Sequence, residues 1–265
     1  MLAFGVIIGV GMLILAIAPG LVAQQDPRGT DAVLALTTPS AAHWFGTDTL
    51  GRDVFSRVVH GARTSLGVAG ISVVFALLAG SFLGLLSGYF GGVLDQVLGR
   101  LMDIVFSLPA LLLAIAIAGI LGPSLRNAII AIGIVYMPHF YRIARSGAIA
   151  MSARPFIVGC HLIGASHGRI VLRHVLPNIS ALLTVQFTVT LAYAILLEAS
   201  LSFLGLGVQP PDPSWGSILN EGRPFLLISP SLSVFPGIMI LLSVLAMNLI
   251  SDSLRDSWDT SLVKR

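Results

Sequence analysis

Lysine is almost missing from this sequence. Lys264 is the only one in 265 residues, and a phosphate-cradling P-loop needs a lysine to reach the terminal phosphates. ATP hydrolysis at a Walker-type site is therefore excluded for this chain. Cysteine is as scarce. Cys160 stands alone, which rules out an internal disulfide and a cysteine-built metal cluster. Charged residues are only 10% of the chain, where soluble domains carry roughly 25%. A formal charge of +3 is too small to mark a nucleic-acid partner. Acids are wholly missing from residues 141–177, which hold five Arg (Arg142, Arg145, Arg154, Arg169, Arg173) and three His.

What abounds is apolar. Hydrophobic residues make up 55% of the chain, and mean hydropathy is +0.94. Six stretches are long enough to cross roughly 30 Å of hydrocarbon as helices: 1–23, 66–88, 102–121, 128–149, 179–204 and 234–254. The composition predicts an all-α integral membrane protein with six transmembrane helices. The first stretch is too long an apolar run for a signal peptide, with no basic residue ahead of it, so a retained span is expected. With both ends inside, inner segments collect nine Lys and Arg (Arg100, Arg142, Arg145, Arg154, Arg169, Arg173, Arg255, Lys264, Arg265). Outer segments collect six (Arg28, Arg52, Arg57, Arg63, Arg126, Arg223). This bias and the acid-free stretch place the 154–177 loop and the C-terminus in the cytoplasm.

That loop has helical order. Pro155 suits a first turn, where its missing N–H costs nothing. Phe156, Cys160 and Ile163 follow at i, i+4 and i+7, an apolar stripe on a helix about 12 Å long. Gly164 is a natural stop, and Ser166 can cap a second short helix that Pro177 ends. A short helix with one apolar face and cationic flanks at the end of a membrane bundle is a docking element between spans 4 and 5.

Elsewhere the signals are mostly structural. In the outer segment, Asp48 or Thr49 can start a helix through residues 51–63, with Val54, Val58 and Gly61 on one side. An interfacial amphipathic helix and a solvated connector both fit it. Gly67, Gly70, Ala79, Gly80, Gly84 and Gly88 suit close helix packing in lipid. Pro109 and Pro138 predict kinks, and Trp215 suits the membrane interface. Glu198 is an ionisable group at membrane depth, with Ser202 one turn on. A tie to a neighbouring helix and a place on a transport path fit it equally. Asn248 and Asp252 read as packing or interface residues, Asn248 also as a candidate buried polar group.

Gly164-Ala-Ser166-His-Gly168 matches a nucleophile elbow, but that motif needs a preceding strand and an oxyanion hole. A helix cap fits Ser166 better than a nucleophile. His161, His167 and His174 do not form a metal set either. On a continuous helix 167 and 174 share a face, 161 points away, and no acid or second cysteine completes the group. Gly164 also interrupts the helix, so contact or capping roles fit these histidines better, and no metal is expected.

Several motifs together resemble one family. Phe156-Ile157-Val158-Gly159-Cys160-His-Leu-Ile-Gly164-Ala165, followed by Arg173-His174-Val-Leu-Pro177-Asn178, is similar to the EAA loop of binding-protein-dependent ABC importer permeases. His43 to Arg57, Glu198 to Trp215, and Asn248 to Asp256 resemble one branch. That branch is the second ("C") permease of dipeptide, oligopeptide and nickel importers, with a MetI-like type 1 transmembrane fold. Val158-Gly159-Cys160 replaces the Glu-Ala-Ala triplet, which removes that glutamate's contact and adds a helix-weakening glycine. Relatives usually carry a cytoplasmic tail ahead of the first span, where this sequence opens on apolar residues.

The resemblance implies a first span with its extracytoplasmic segment (1–61), a permease domain (62–255) and a cytoplasmic tail (256–265). It implies a multi-pass inner-membrane subunit that is not itself an enzyme. Arg154, Pro155, Phe156, Ile157, Gly159, Cys160, Ile163, Gly164, Ser166, Arg173, His174 and Pro177 would form the ATPase-coupling loop. Implied partners are a second permease as heterodimer, two ATP-binding subunits or one fused ATPase, an extracytoplasmic solute-binding protein, and membrane lipid. ATP and Mg belong to the partner ATPase, and no cofactor is expected on this chain. Short peptides are the expected cargo, with nickel chelates, glutathione or haem as alternatives. An ion-coupled secondary transporter is the competing class, and an intramembrane hydrolase the weakest.

Overall fold

The computed structural model describes residues 2–263, with side chains as far as Asp256. Met1, Lys264 and Arg265 lie outside the described residues, and the tail expected at 256–265 is helical as far as Val263. Among those described there is no strand, only an isolated antiparallel bridge between Thr47 and Asp53.

Helix α1 (Leu2–Ile17) is apolar throughout and only 16 residues long. Pro19 opens a separate 3-10 turn at Pro19–Leu21, so the first apolar stretch stops short of residue 23. Helix α2 (Val54–Phe90) runs 37 residues without a break, about 55 Å. The helix expected from Asp48 or Thr49 is corrected here. Its cap is Asp53, whose carboxylate accepts from the Ser56 N–H at 2.7 Å, and the leading turn is continuous with the span. Gly51 makes the approach at φ +72°, where a Cβ would strike the Asp31 carbonyl.

Helices α3 (Gly92–Ser107) and α4 (Ala110–Leu121) replace the straight span expected at 102–121. They meet at 98°. Pro109 cannot donate in a helix, and it holds Leu108 extended at φ −91°, ψ 139°. Helix α5 (Leu125–Ser152) is capped by Ser124, whose hydroxyl accepts from the Asn127 N–H. It carries Pro138 inside it. The loop follows as α6 (Pro155–Leu162) and α7 (His167–Ile170), a wide π turn at Val171–Val175, and α8 (Leu176–Phe203). Helices α9 (Trp215–Gly222) and α10 (Ser231–Val263) complete the chain.

Among the described residues, three helical runs are long and apolar enough to cross a membrane: α2, His167–Phe203 and Ser231–Asp256. The bent α3–α4 pair makes a fourth if counted as one span. The tightest packing is α2 on α5. Gly80, Gly84 and Gly88, four residues apart, set the α2 backbone against the carbonyls of Met137, Tyr141 and Arg145, leaving no room for a Cβ. Gly67 and Gly70 do not serve this purpose: open space lies where their side chains would be. α1 packs on α10, with Gly5 against Leu249. The bundle thus has a loop end, carrying α6 and α7, and a far end, carrying α9 and the start of α2.

Candidate functional site

At the loop end, α6 stands proud of the bundle. Arg154 occupies its N-cap position without a side-chain cap, and Pro155 opens it. Its one fully buried side chain is that of Ile157. The outward surface is apolar, with Phe156 48%, Leu162 83% and Ile163 84% exposed. The stripe read from Phe156, Cys160 and Ile163 is therefore presented to the surroundings, with Cys160 half-buried against His174 at 4.0 Å. Gly164 reverses the chain at φ +75°. Gly159 has open space around it, so the glycine in the altered triplet is no packing requirement. Arg154 and Arg173 are exposed.

Two expectations about this loop are corrected. Ser166 sits at the N-cap of α7 but its side chain makes no capping bond. Pro177 does not end that helix; it lies in the first turn of α8, and residues 167–203 form one run. The π turn just before it widens the helix where the missing N–H would otherwise break the ladder. Asn178 Nδ2 meets the His174 carbonyl at 2.6 Å.

Two of the histidines take contact roles, as expected, though not in the pairing that a continuous helix would give. His161 and His167, on either side of Gly164, converge on Tyr89 in the last turn of α2. Tyr89 Oη lies 3.2 Å from His161 Nε2 and 3.0 Å from His167 Nδ1. The reversal at Gly164, not helical periodicity, brings them together. Among the described residues no three His, Cys, Asp or Glu are grouped to hold a metal ion.

The far end is pinned by buried polar groups. Glu198 on α8 is fully buried. Its Oε1 accepts from the Ser202 hydroxyl at 2.8 Å, and the Ser65 and Ser214 hydroxyls also face the carboxyl. Ser65 accepts from the Trp215 N–H at 3.1 Å. This is the geometry of a tie between α8, α2 and the loop entering α9. A cavity of 710 Å³ along α1, α2, α5 and α8 is walled by Ile195, one turn away, rather than by Glu198. Trp215 is not at a membrane interface: it is fully buried, donating Nε1–H to the Val58 carbonyl at 3.0 Å. Asn248 is exposed on α10 rather than buried.

Sequence reasoning missed the largest polar feature. Asp48, Arg52, Arg57 and Glu221 form a neutral box between the outer segment and α9. Arg52 bonds Asp48 at 2.6 Å and Glu221 at 2.8 Å. Arg57 bonds both Glu221 oxygens at 2.9 Å and lies 3.1 Å from Asp48. Arg57 and Asp48 are each 1% exposed, so they are neither a solvated connector nor a polar face at an interface. Their spacing in His43 to Arg57 was the available signal.

A buried tie at one end and an exposed helix at the other suit a membrane component that receives a partner. Residues 80–264 match the family described as binding-protein-dependent transport system inner membrane component. The chain belongs to this family. It is a permease component of an ABC transport system rather than an enzyme. Its relatives include the dipeptide transport system permease protein DppC of Alkalihalophilus pseudofirmus, 45% identical over 97% of this chain and 85% of that protein. Another is the glutathione transport system permease protein GsiD of Pectobacterium atrosepticum, 42% identical over 84% of this chain and 74% of that one. The permease fold is also that of the inward-facing MetNI methionine ABC transporter. The likeness has a TM-score of 0.57 at 20% identity and covers 74% of this chain and 95% of that one.

Proposed function

We propose that this chain is one permease subunit of an ATP-driven importer of short peptides, forming half of the translocation pathway. The observation that carries the reading is α6: an apolar surface held out from the bundle, on a loop with no acid. Such a surface fits a groove on an ATP-hydrolysing subunit, two copies or one fused chain. In this reading the loop end is cytoplasmic, and six helical segments (α1, α2, α3–α4, α5, α8 and α10) cross the membrane. A second permease completes the pathway, and an extracytoplasmic solute-binding protein feeds the far end. ATP and Mg act on the partner ATPase. Nucleotide-driven closure there would move α6 and rock the spans between two states, each with its own contacts.

Peptide cargo is supported by the relatives named for dipeptide and for glutathione, itself a short peptide. The test is a pull-down of the detergent-solubilised chain, wild type and with Phe156→Asp and Ile163→Asp together. Capture of an ATPase and a second permease, with only the ATPase lost in the variant, is the expected result. A chain that comes down alone yet transports in liposomes overturns it. Competition of uptake by dipeptides against glutathione separates the two cargoes.

A further inference from the structure

α3 has two unlike sides. Val93, Val97, Leu101 and Ile104 form a stripe at helical spacing, 76%, 52%, 51% and 62% exposed. The opposite side carries Asp95, Gly99 and Asp103 toward α5. It is entered from α2 through Gly91 and Gly92, both at positive φ, and α4 leaves it at 98°. As the leading half of the bent α3–α4 span, a helix that is apolar on one side and charged on the other turns its stripe to lipid at the membrane's edge and its charged side to α5.

Between the charged side and α5 is a pocket of 640 Å³. Arg100, Arg142 and Arg145 line it together with Asp95 and Asp103. Two of the arginines are engaged. Arg145 grips Asp95 at 2.5 and 2.6 Å, and Ser87 and Tyr141 back that pair. Arg142 bonds Asp103 at 3.0 Å and lies over the Phe106 ring. Arg100 makes no ion pair among the described residues, so three cations against two anions leave one positive charge unanswered. Basic pockets between membrane helices receive anionic headgroups.

We propose that this pocket binds the phosphate of an anionic phospholipid, its acyl chains lying along the exposed stripe of α3. A free phosphate could satisfy Arg100, but only a lipid also covers Val97, Leu101 and Ile104. Arg100 is the cation that reads the headgroup. Arg142 and Arg145 hold the pocket's shape through their carboxylates.

The experiment titrates the purified full chain in detergent with phosphatidylglycerol, phosphatidylethanolamine or inorganic phosphate, reading thermal unfolding. Phosphatidylglycerol is expected to raise the unfolding temperature and the other two to leave it unchanged. Arg100→Gln, an exposed change that leaves the fold intact, is expected to weaken the phosphatidylglycerol response roughly fivefold, what one basic group near an anionic surface supplies. Asp103→Asn, which frees Arg142, is expected to strengthen it. Equal stabilisation by both lipids, or equal response in all three proteins, overturns the proposal. Stabilisation by inorganic phosphate as strong as by phosphatidylglycerol makes the pocket a free-anion site and overturns the lipid assignment.

Discussion

Arg57 holds its guanidinium where only 1% of the side chain meets solvent, and it is tolerable there because Asp48 and Glu221 surround it. Removing one partner of such a set strands the others, and the cost is about 3–5 kcal/mol. Arg57→Ala is therefore expected to lower the thermal unfolding temperature sharply. The exposed Arg223→Ala should leave it unchanged. Equal behaviour of the two in detergent melts would deny the box its structural role. The four residues could not be assembled from the sequence, because Arg57 and Glu221 lie 164 positions apart. The cap of α2, by contrast, was expected only a few residues early, at Asp48 or Thr49 instead of Asp53. Glu198 with Ser202 was legible as a pair because one helical turn separates them. Ser65 and Ser214, which complete their surroundings, were not.

At the scale of elements, apolar length predicted most of the helices, while their breaks followed from single residues in context. Pro109 separates two helices because the residue before it goes extended. Pro177 does not, because a π turn precedes it. Both look the same as letters. Glycine shows the same dependence on context. Gly84→Leu is expected to force α2 and α5 apart, costing about 1–3 kcal/mol or more, and to abolish a monodisperse peak in size-exclusion chromatography. Gly67→Ala meets nothing within 4 Å and should elute like the parent and melt at the same temperature or slightly higher. The α6 loop was legible in outline, since Pro155, Gly164 and the apolar residues between them fix its ends. Its fastening to Tyr89 was not, because Tyr89 lies 72 and 78 positions from the two histidines.

The whole molecule gives a topological prediction. With Cys160 changed to Ala, a cysteine at Leu162 (83% exposed) or at Val33 (89% exposed) reports one end of the bundle each. A membrane-impermeant maleimide is expected to label Leu162→Cys only in inside-out vesicles and Val33→Cys only in right-side-out ones. Labelling of both from one side would break the two-ended arrangement.

One feature of the loop carries further. Residues 167–203 form a single helical run of 37 residues, with the Tyr89 contact at one end and Glu198, Ser202 and the α9 junction near the other. A rod of that length, about 55 Å, that tilts by roughly 5° moves its tip by about 5 Å. Force applied to the loop then needs no relay of side chains through the bundle. In the proposed coupling α8 would act as a lever, the small-residue seam of α2 on α5 would supply stiff ground beside it, and the far end, tied to α2 and the α9 junction, would carry those elements with it.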